Sequence, residues 1–331
     1  MTRPPSNGAS IVVVTYPAFD EHDLRTGGRL RSAGLGIRHE PRLGERTPEN
    51  VLAFMADATA GIVSTDPFDQ QVLAGCPNLR VLARVGVGVD TIDLDAATRA
   101  GVAVTTTPGI NTNTVADHTL ALILACIRRV VENDASVRRG EWDRGGRLIG
   151  TELTGSTVGI VGLGAIGRAV AARLAGFGTR ILGHDVSDVQ APGVKRVGLD
   201  ELLDRSDVVT GHVPLAPETR GLIGTRELGL MRPDAILVNV ARGGIVDEPA
   251  LLDALQGGRL AGAALDVFER EPPGRDLFEL RQVVLSPHIG GVSVVSQQAA
   301  LEMAVASVLA VLGGDRPTGL VNAGSLASSL A

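Results

Sequence analysis

Short, continuous apolar runs alternate with stretches of helical period along most of the chain, and this alternation predicts strands and helices in turn. Residues 10–15 (Ser-Ile-Val-Val-Val-Thr) read as a buried parallel strand, as do residues 60–64, 79–85 and 102–106. Amphipathic segments at 50–58 and 93–100 lie between them, which gives βαβ units in a first parallel sheet. A polar bend at 111–114 leads into apolar periodicity from Val115 to about Arg139, predicting one long helix that joins two units. The second alternation has strands at 157–161, 179–184, 207–212, 235–240, 262–265 and 282–286, and predicts a six-stranded doubly wound sheet. A last helix is expected from about Ser296 to Leu312, followed by a small polar tail. The predicted class is α/β, with two doubly wound parallel-sheet domains.

Composition narrows the function. At 331 residues the chain can build two cores, and 44% hydrophobic with 21% charged residues is ordinary for a soluble globular protein. No run approaches a membrane span, and the polar first eight residues lack the apolar stretch of an export signal, so a cytoplasmic protein with no membrane partner is expected. A net charge of −6 and 2% aromatic residues leave neither a basic face nor stacking platforms for nucleic acid. Cys76 and Cys126 stand without CxxC or histidine-rich company. They are expected to be core thiols, with no metal and no disulfide.

The chemistry starts at residues 157–170, where an apolar run breaks into glycines and resumes with helical period. Gly162, Gly164 and Gly167 have the GxGxxG spacing: the first permits a tight turn, the second lets backbone approach a pyrophosphate, and the third lets helix pack on strand. The next strand ends at Asp185, whose carboxylate would accept hydrogen bonds from an adenine-ribose diol and repel a 2′-phosphate. His288, Glu271 and Arg242 each follow a strand, where open α/β sheets bind ligands. A carboxylate touching a histidine makes the ring a usable proton donor near neutral pH, and a guanidinium can hold a carboxylate in a fork. His22, His39, His118, His184 and His212 read as ordinary structural or surface histidines.

Several motifs stand in one order: residues 84–90, 151–153, the glycine motif, 212–215 (His-Val-Pro-Leu), 241–248 (Ala-Arg-Gly-Gly-Ile-Val-Asp-Glu), 266–268 and Pro287-His288. In these the chain resembles the NAD-dependent D-isomer-specific 2-hydroxyacid dehydrogenases, most closely their phosphoglycerate dehydrogenase branch. The resemblance implies NAD as cofactor and a small 2-hydroxy or 2-keto acid as substrate. It implies Arg242, Glu271 and His288 as the catalytic set, and Asp266 on the nicotinamide carboxamide. Cofactor contacts are implied at Gly162, Gly164, Ala165, Ile166, Gly167, Asp185, His212, Val213, Pro214, Thr219, Val240, Ala241, Arg242, Asp266, His288 and Gly290. Substrate contacts are implied at Ser64, Arg84, Val85, Gly86, Val87, Arg242 and His288. It further implies a flavodoxin-like substrate-binding domain of residues 1–106 with 294–331, a Rossmann-type cofactor domain of 107–293, a homodimer built around the long helix, and a short form without a C-terminal regulatory domain.

Two alternatives stay open: a genuine D-3-phosphoglycerate dehydrogenase, and an NAD-sensing, corepressor-like binding protein. A departure bears on the first. The stretch Val63-Ser64-Thr65-Asp66-Pro67-Phe68-Asp69 lacks the arginine and lysine that the branch offers a substrate phosphate. Asp66 and Asp69 are expected to disfavour a dianion there, with Arg84 supplying some compensating charge, so an unphosphorylated or differently substituted 2-keto acid is the expectation.

Overall fold

The computed structural model describes residues 10–322 apart from residue 147. The chain forms two compact units and crosses between them after Asn111 and after Ser293. In the first, β1 (Ile11–Val14), β2 (Gly36–His39), β3 (Ala60–Val63), β4 (Val81–Arg84) and β5 (Ala103–Thr105) form a wholly parallel sheet in the order β2-β1-β3-β4-β5. This is the flavodoxin-like winding. Strand β2 lies outside the expected set, because an edge strand of four half-buried residues alternating Ile37 with Arg38 and His39 has no apolar run to announce it. The helices α1 (Gly27–Ser32), α2 (Pro48–Met55), α3 (Gln70–Ala74) and α4 (Leu94–Arg99) connect the strands. Thr47, Asp69 and Asp93 start the last three by accepting backbone N–H groups of Asn50, Val72 and Ala96.

The second unit opens with α5 (Thr112–Ile127) and α6 (Val130–Arg138), which replace the single expected helix. Arg129 takes a left-handed backbone (φ 50°) between them. The carbonyl of Ile127 then accepts from Thr151 (2.8 Å) instead of from the next turn, and Asn133 Nδ2 donates to the carbonyls of Arg129 and Leu148 (both 3.0 Å). A returning segment of chain thus ends the first helix, and no periodicity records that. There follow β6 (Thr157–Val161), α7 (Ala165–Leu174), β7 (Arg180–His184), β8 (Val194–Arg196), α8 (Leu199–Arg205), β9 (Val208–Gly211), α9 (Thr225–Leu230), β10 (Ile236–Asn239), α10 (Glu248–Gln256), β11 (Gly262–Leu265) and β12 (Val283–Leu285).

The sheet is parallel and seven-stranded, in the order β12-β11-β10-β9-β6-β7-β8. The expected six-stranded sheet therefore gains β8, a short edge strand around Lys195 and Arg196. Strand order reverses between β6 and β9, where a Rossmann sheet opens its ligand crevice. Five of the strands, β6 and β9 to β12, are almost entirely apolar, and Val158, Ile160, Val238 and Ala264 pack with Ile123 and Leu174 from the helices.

Helix α11 (Val294–Gly313) returns to the first unit. Contrary to the expectation that no run approaches a membrane span, it is long and apolar enough to cross one, but Leu301, Ala304, Val305 and Val308 fill the core beside Val12, Ile62 and Val81, which makes it a core helix. Cys76 is buried and Cys126 half-buried, and burial pushes their thiols up to about 11 and about 12. Beyond α11 the chain is pinned to β5 by Asn322. Its Nδ2 donates to Val102 O (2.9 Å) and Thr98 Oγ1 (3.0 Å), and its Oδ1 accepts from Val104 N (2.9 Å). Asn322→Ala leaves the buried Val104 N–H and Val102 carbonyl without these partners. It should cost about 2–3 kcal/mol, read from denaturant unfolding of the first unit; a loss under about 0.5 kcal/mol would show that the clasp is dispensable.

Candidate active site

The turn after β6 is built by its glycines. Gly162 has φ +96°, and a Cβ there would stand 2.6 Å from the carbonyl oxygen of His212. A Cβ on Gly167 would stand 2.0 Å from the carbonyl oxygen of Gly162, so α7 can seat on the turn only with glycine at that place. Gly164 caps α7 in extended backbone with nothing near its Cβ position, which leaves the helix N-terminus open at Ala165 with Ile166 half-buried beside it. Asp185, at the end of the neighbouring β7, accepts Leu163 N–H on Oδ2 (2.7 Å) and Ser187 N–H on Oδ1 (2.8 Å). Burial opposes its ionisation, but those N–H groups and the charges of Arg196 and His184 outweigh it and hold the carboxyl below its ordinary value. Arg196 of β8 escaped notice in the sequence; it donates to Asp185 O and Asp188 Oδ1, both at 2.8 Å.

Across the switch point, His212 follows β9 directly. Its Nε2 stands 3.0 Å from Thr210 Oγ1, while Nδ1 is buried without a hydrogen-bond partner. Burial pushes this ring down to about 4. Val213 and Pro214 follow, and Thr219 closes their loop by donating to Pro214 O (2.6 Å) and accepting Ala216 N–H (2.8 Å). Val240 and Ala241 follow β10, where Asn239 clamps the turn: Oδ1 accepts Ala241 N–H (3.1 Å) and Nδ2 donates to Arg242 O (2.9 Å). Arg242 is half-buried and donates Nη1 to Ala241 O (2.7 Å). Gly243 presses this loop on the next one, since a Cβ there would lie 1.8 Å from Phe268 O.

Glu271 and His288 meet. His288 Nδ1 lies 2.9 Å from both Glu271 oxygens, with each side chain roughly two-fifths exposed. A carboxylate only accepts, so Nδ1 carries the hydrogen and Nε2 is left for other chemistry. Burial raises the Glu271 carboxyl, but the hydrogen bond and charge of His288, with Phe268 N–H, bring it below its ordinary value. Glu248 Oε1 accepts Glu269 N–H (2.5 Å) and ties this loop to α10. His288 has a left-handed backbone (φ 54°).

Asp266 lies under the His288 loop, 1% exposed. Its Oδ1 accepts Ser286 Oγ–H (2.6 Å) and Ile289 N–H (2.9 Å), and Oδ2 accepts Gly290 N–H (2.7 Å). His118 Nε2 of α5 stands 3.3 Å from Oδ1 and 3.0 Å from Ser286 Oγ. Burial raises the carboxyl; the His118, Ser286, Ile289 and Gly290 donors lower it further than that. Asp266, the residue expected at the nicotinamide carboxamide, anchors residues 288–290 through their three N–H groups. Besides Arg196, the roles of His118, Ser286, Asn239 and Glu248 were passed over in the sequence. Only the unexplained histidine on the apolar face of α5 offered a signal.

The remaining candidates belong to the first unit. Arg84 turns back on its own loop, donating Nε to Gly88 O (3.1 Å) and Nη1 to Val85 O. Gly86 (φ 137°) donates to Thr107 Oγ1 (2.9 Å), Val85 is buried and Val87 exposed. Ser64 N–H reaches Thr15 Oγ1 and Asp66 Oδ2. The repulsion expected from Asp66 and Asp69 is corrected here. Asp66 is wholly buried, paired with Arg46 (3.1 Å) and bonded to Thr15, and Asp69 caps α3. Arg42 instead brings a cation to this turn, donating Nη1 to Thr65 Oγ1.

Residues 120–290 match the sequence profile of the D-isomer specific 2-hydroxyacid dehydrogenase NAD-binding domain. A glyoxylate reductase of Thermofilum pendens is 43% identical over 297 residues, covering 86% of this chain and 88% of that protein. This chain belongs to the D-isomer specific 2-hydroxyacid dehydrogenase family. It is an NAD-dependent oxidoreductase acting on CH–OH groups. A D-3-phosphoglycerate dehydrogenase of Mycobacterium tuberculosis is 44% identical over 83% of this chain, which spans about half (53%) of that longer protein. Among solved structures, the TT0316 protein of Thermus thermophilus superposes with a TM-score of 0.88 at 40% identity, covering 94% of this chain and 99% of that one. The glycine cradle at Gly162, the open end of α7 and the unpartnered His212 Nδ1 fit a dinucleotide laid across the switch point.

The depressed His212 value has a pH consequence. The folded ring stays neutral until about pH 4, while the unfolded one protonates below about 6.5, so its contribution is complete above pH 6.5 and is lost as pH falls from there toward 4. The full loss is about 3 kcal/mol. In thermal unfolding, His212→Asn should flatten the decline between pH 6.5 and 4.5 relative to the unaltered protein; parallel curves would contradict this.

Proposed function

We propose that this dehydrogenase interconverts a small, unphosphorylated 2-keto acid and its D-2-hydroxy acid, with His288 as the proton donor and acceptor. The Glu271–His288 contact is the observation that carries the reading. When bound, NAD supplies the nicotinamide carbon that gives or takes the hydride. His288 Nε2 delivers a proton to the carbonyl oxygen at C2, while Glu271 fixes Nδ1–H and stabilises the charge that the ring carries before transfer. Arg242 holds the substrate carboxylate and polarises the carbonyl. Gly162, Gly164 and Gly167 with the N-terminus of α7 cradle the pyrophosphate, Asp185 takes the ribose diol, and the loops at 212–219, 240–242 and 288–290 complete the cofactor contacts. Ser64 and the turn at 84–87 are the proposed substrate contacts of the first unit, Arg84 acting as a brace for that turn.

The Thermofilum pendens relative, of which this chain covers 88%, is named a glyoxylate reductase, which supports a small acid. Arg42 beside Thr65 favours a second reading, a phosphorylated acid. We also propose a cytoplasmic homodimer; Val130, Val131 and Val137 of α6, with Trp142 and Ile149, form an exposed apolar series in the second unit that self-association would cover.

Two measurements test these assignments. With NADH held constant, kcat/KM for glyoxylate and hydroxypyruvate should match or exceed that for 3-phosphohydroxypyruvate. A preference for the phosphorylated acid above roughly tenfold, about 1.4 kcal/mol, establishes the second reading. His288→Ala should lose on the order of 10²-fold or more in kcat with NADH binding intact; near-normal turnover at neutral pH removes His288 from the mechanism.

A further inference from the structure

We propose that His118 is a positioning residue for the reaction, acting through Ser286 and Asp266 to hold the backbone from which His288 projects. The inference rests on the proton-transfer role assigned above to His288.

Helix α5 buries Val115, Ala116, Thr119, Leu120, Leu122 and Ile123, and His118 is the polar group it directs at the end of β12. An imidazole at such a place loses water and must regain hydrogen bonds. Its Nε2 finds Ser286 Oγ at 3.0 Å and Asp266 Oδ1 at 3.3 Å. The direction of the bonds follows from the donors. Ser286 Oγ–H is given to Asp266 Oδ1 at 2.6 Å, so a lone pair on that oxygen remains to accept, and both partners of His118 Nε2 are acceptors. The hydrogen therefore sits on Nε2, and His118 donates.

The other end of the network is the loop. Asp266 takes the N–H groups of Ile289 and Gly290 on its side chain and that of His288 on its carbonyl (2.8 Å). A Cβ on Gly290 would stand 2.8 Å from Asp266 Oδ2 and 3.4 Å from His118 Cδ2, so the ring also walls the seat of that glycine. Three consecutive N–H groups are thus fixed by one residue, and the first belongs to a histidine with φ 54°, a conformation that side chains other than glycine resist. Without the donor from α5, Ser286 and Asp266 lose one of the contacts that set their orientation, and the ring of His288 loses its alignment with the substrate oxygen. Misplacement of an acid by a fraction of an ångström lowers the chemical step more than it lowers binding.

The test compares His118→Phe, which keeps a ring but no donor, with His118→Gln, whose amide nitrogen reaches about as far as Nε2. Ser286→Ala and His288→Ala run beside them, each scored for kcat, KM, melting temperature and NADH dissociation constant by fluorescence. His118→Phe and Ser286→Ala should lower kcat about tenfold, with NADH affinity and KM within threefold of the unaltered enzyme. His118→Gln should recover most of the loss. The proposal is overturned if His118→Phe and Ser286→Ala keep kcat within twofold while His288→Ala is inactive. It is also overturned if NADH affinity falls as far as kcat, or if glutamine recovers nothing. If His118→Phe does not fold, Ser286→Ala decides by the same criteria. A fully active His288→Ala would instead overturn the assignment of the proton donor.

Discussion

A carboxylate with almost no contact with water, Asp266, governs the geometry of the reactive end of this protein. An unpaired charge in that position would cost several kcal/mol. Here donors converge on it: the Ser286 hydroxyl, the N–H groups of Ile289 and Gly290, and His118. The same bonds that make its burial tolerable dictate the path of the chain through residues 288–290. A left-handed residue costs about 1–3 kcal/mol and persists only where its surroundings over-determine it. At His288 they do, because the two N–H groups after it are already committed.

The pairing of Glu271 with His288 follows from sheet register. Strands β11 and β12 are parallel neighbours with Leu265 opposite Leu285, so Asp266 and Ser286 leave the sheet at one level and the loops after them start side by side. One loop then carries Glu271 and the other His288. Close backbone approach at Gly243 stacks the Arg242 loop against the first of these, and Glu248 ties it to the start of α10. The cofactor turn uses the same device on the other side of the switch point, where Gly162 and Gly167 admit backbone contacts that any side chain would block.

Much of this was legible in the residues. Apolar runs gave both parallel sheets, and the glycine spacing found the turn after β6. What escaped has a common cause: elements whose reason lies in tertiary contacts rather than in their own pattern. Strands β2 and β8 are edges exposed enough to carry Arg38, Lys195 and Arg196. The break after α5 comes from chain 24 residues further on, with Thr151 satisfying the Ile127 carbonyl. Asp66 and Asp69 look like a repulsive pair in sequence, yet one is buried against Arg46 and the other caps a helix. His118 reads as a stray core histidine until Ser286 and Asp266 are placed beside it.

Proton transfer by His288 turns on one hydrogen atom, that on Nδ1 facing Glu271. Histidine-selective ¹⁵N NMR can place it, since the protein has six histidines and single substitutions assign their signals. Neutral His288 should appear as the Nδ1–H form, and Glu271→Gln should move it toward the Nε2–H form. A neutral His288 protonated on Nε2 in the unaltered protein, with shifts indifferent to Glu271, would contradict the account.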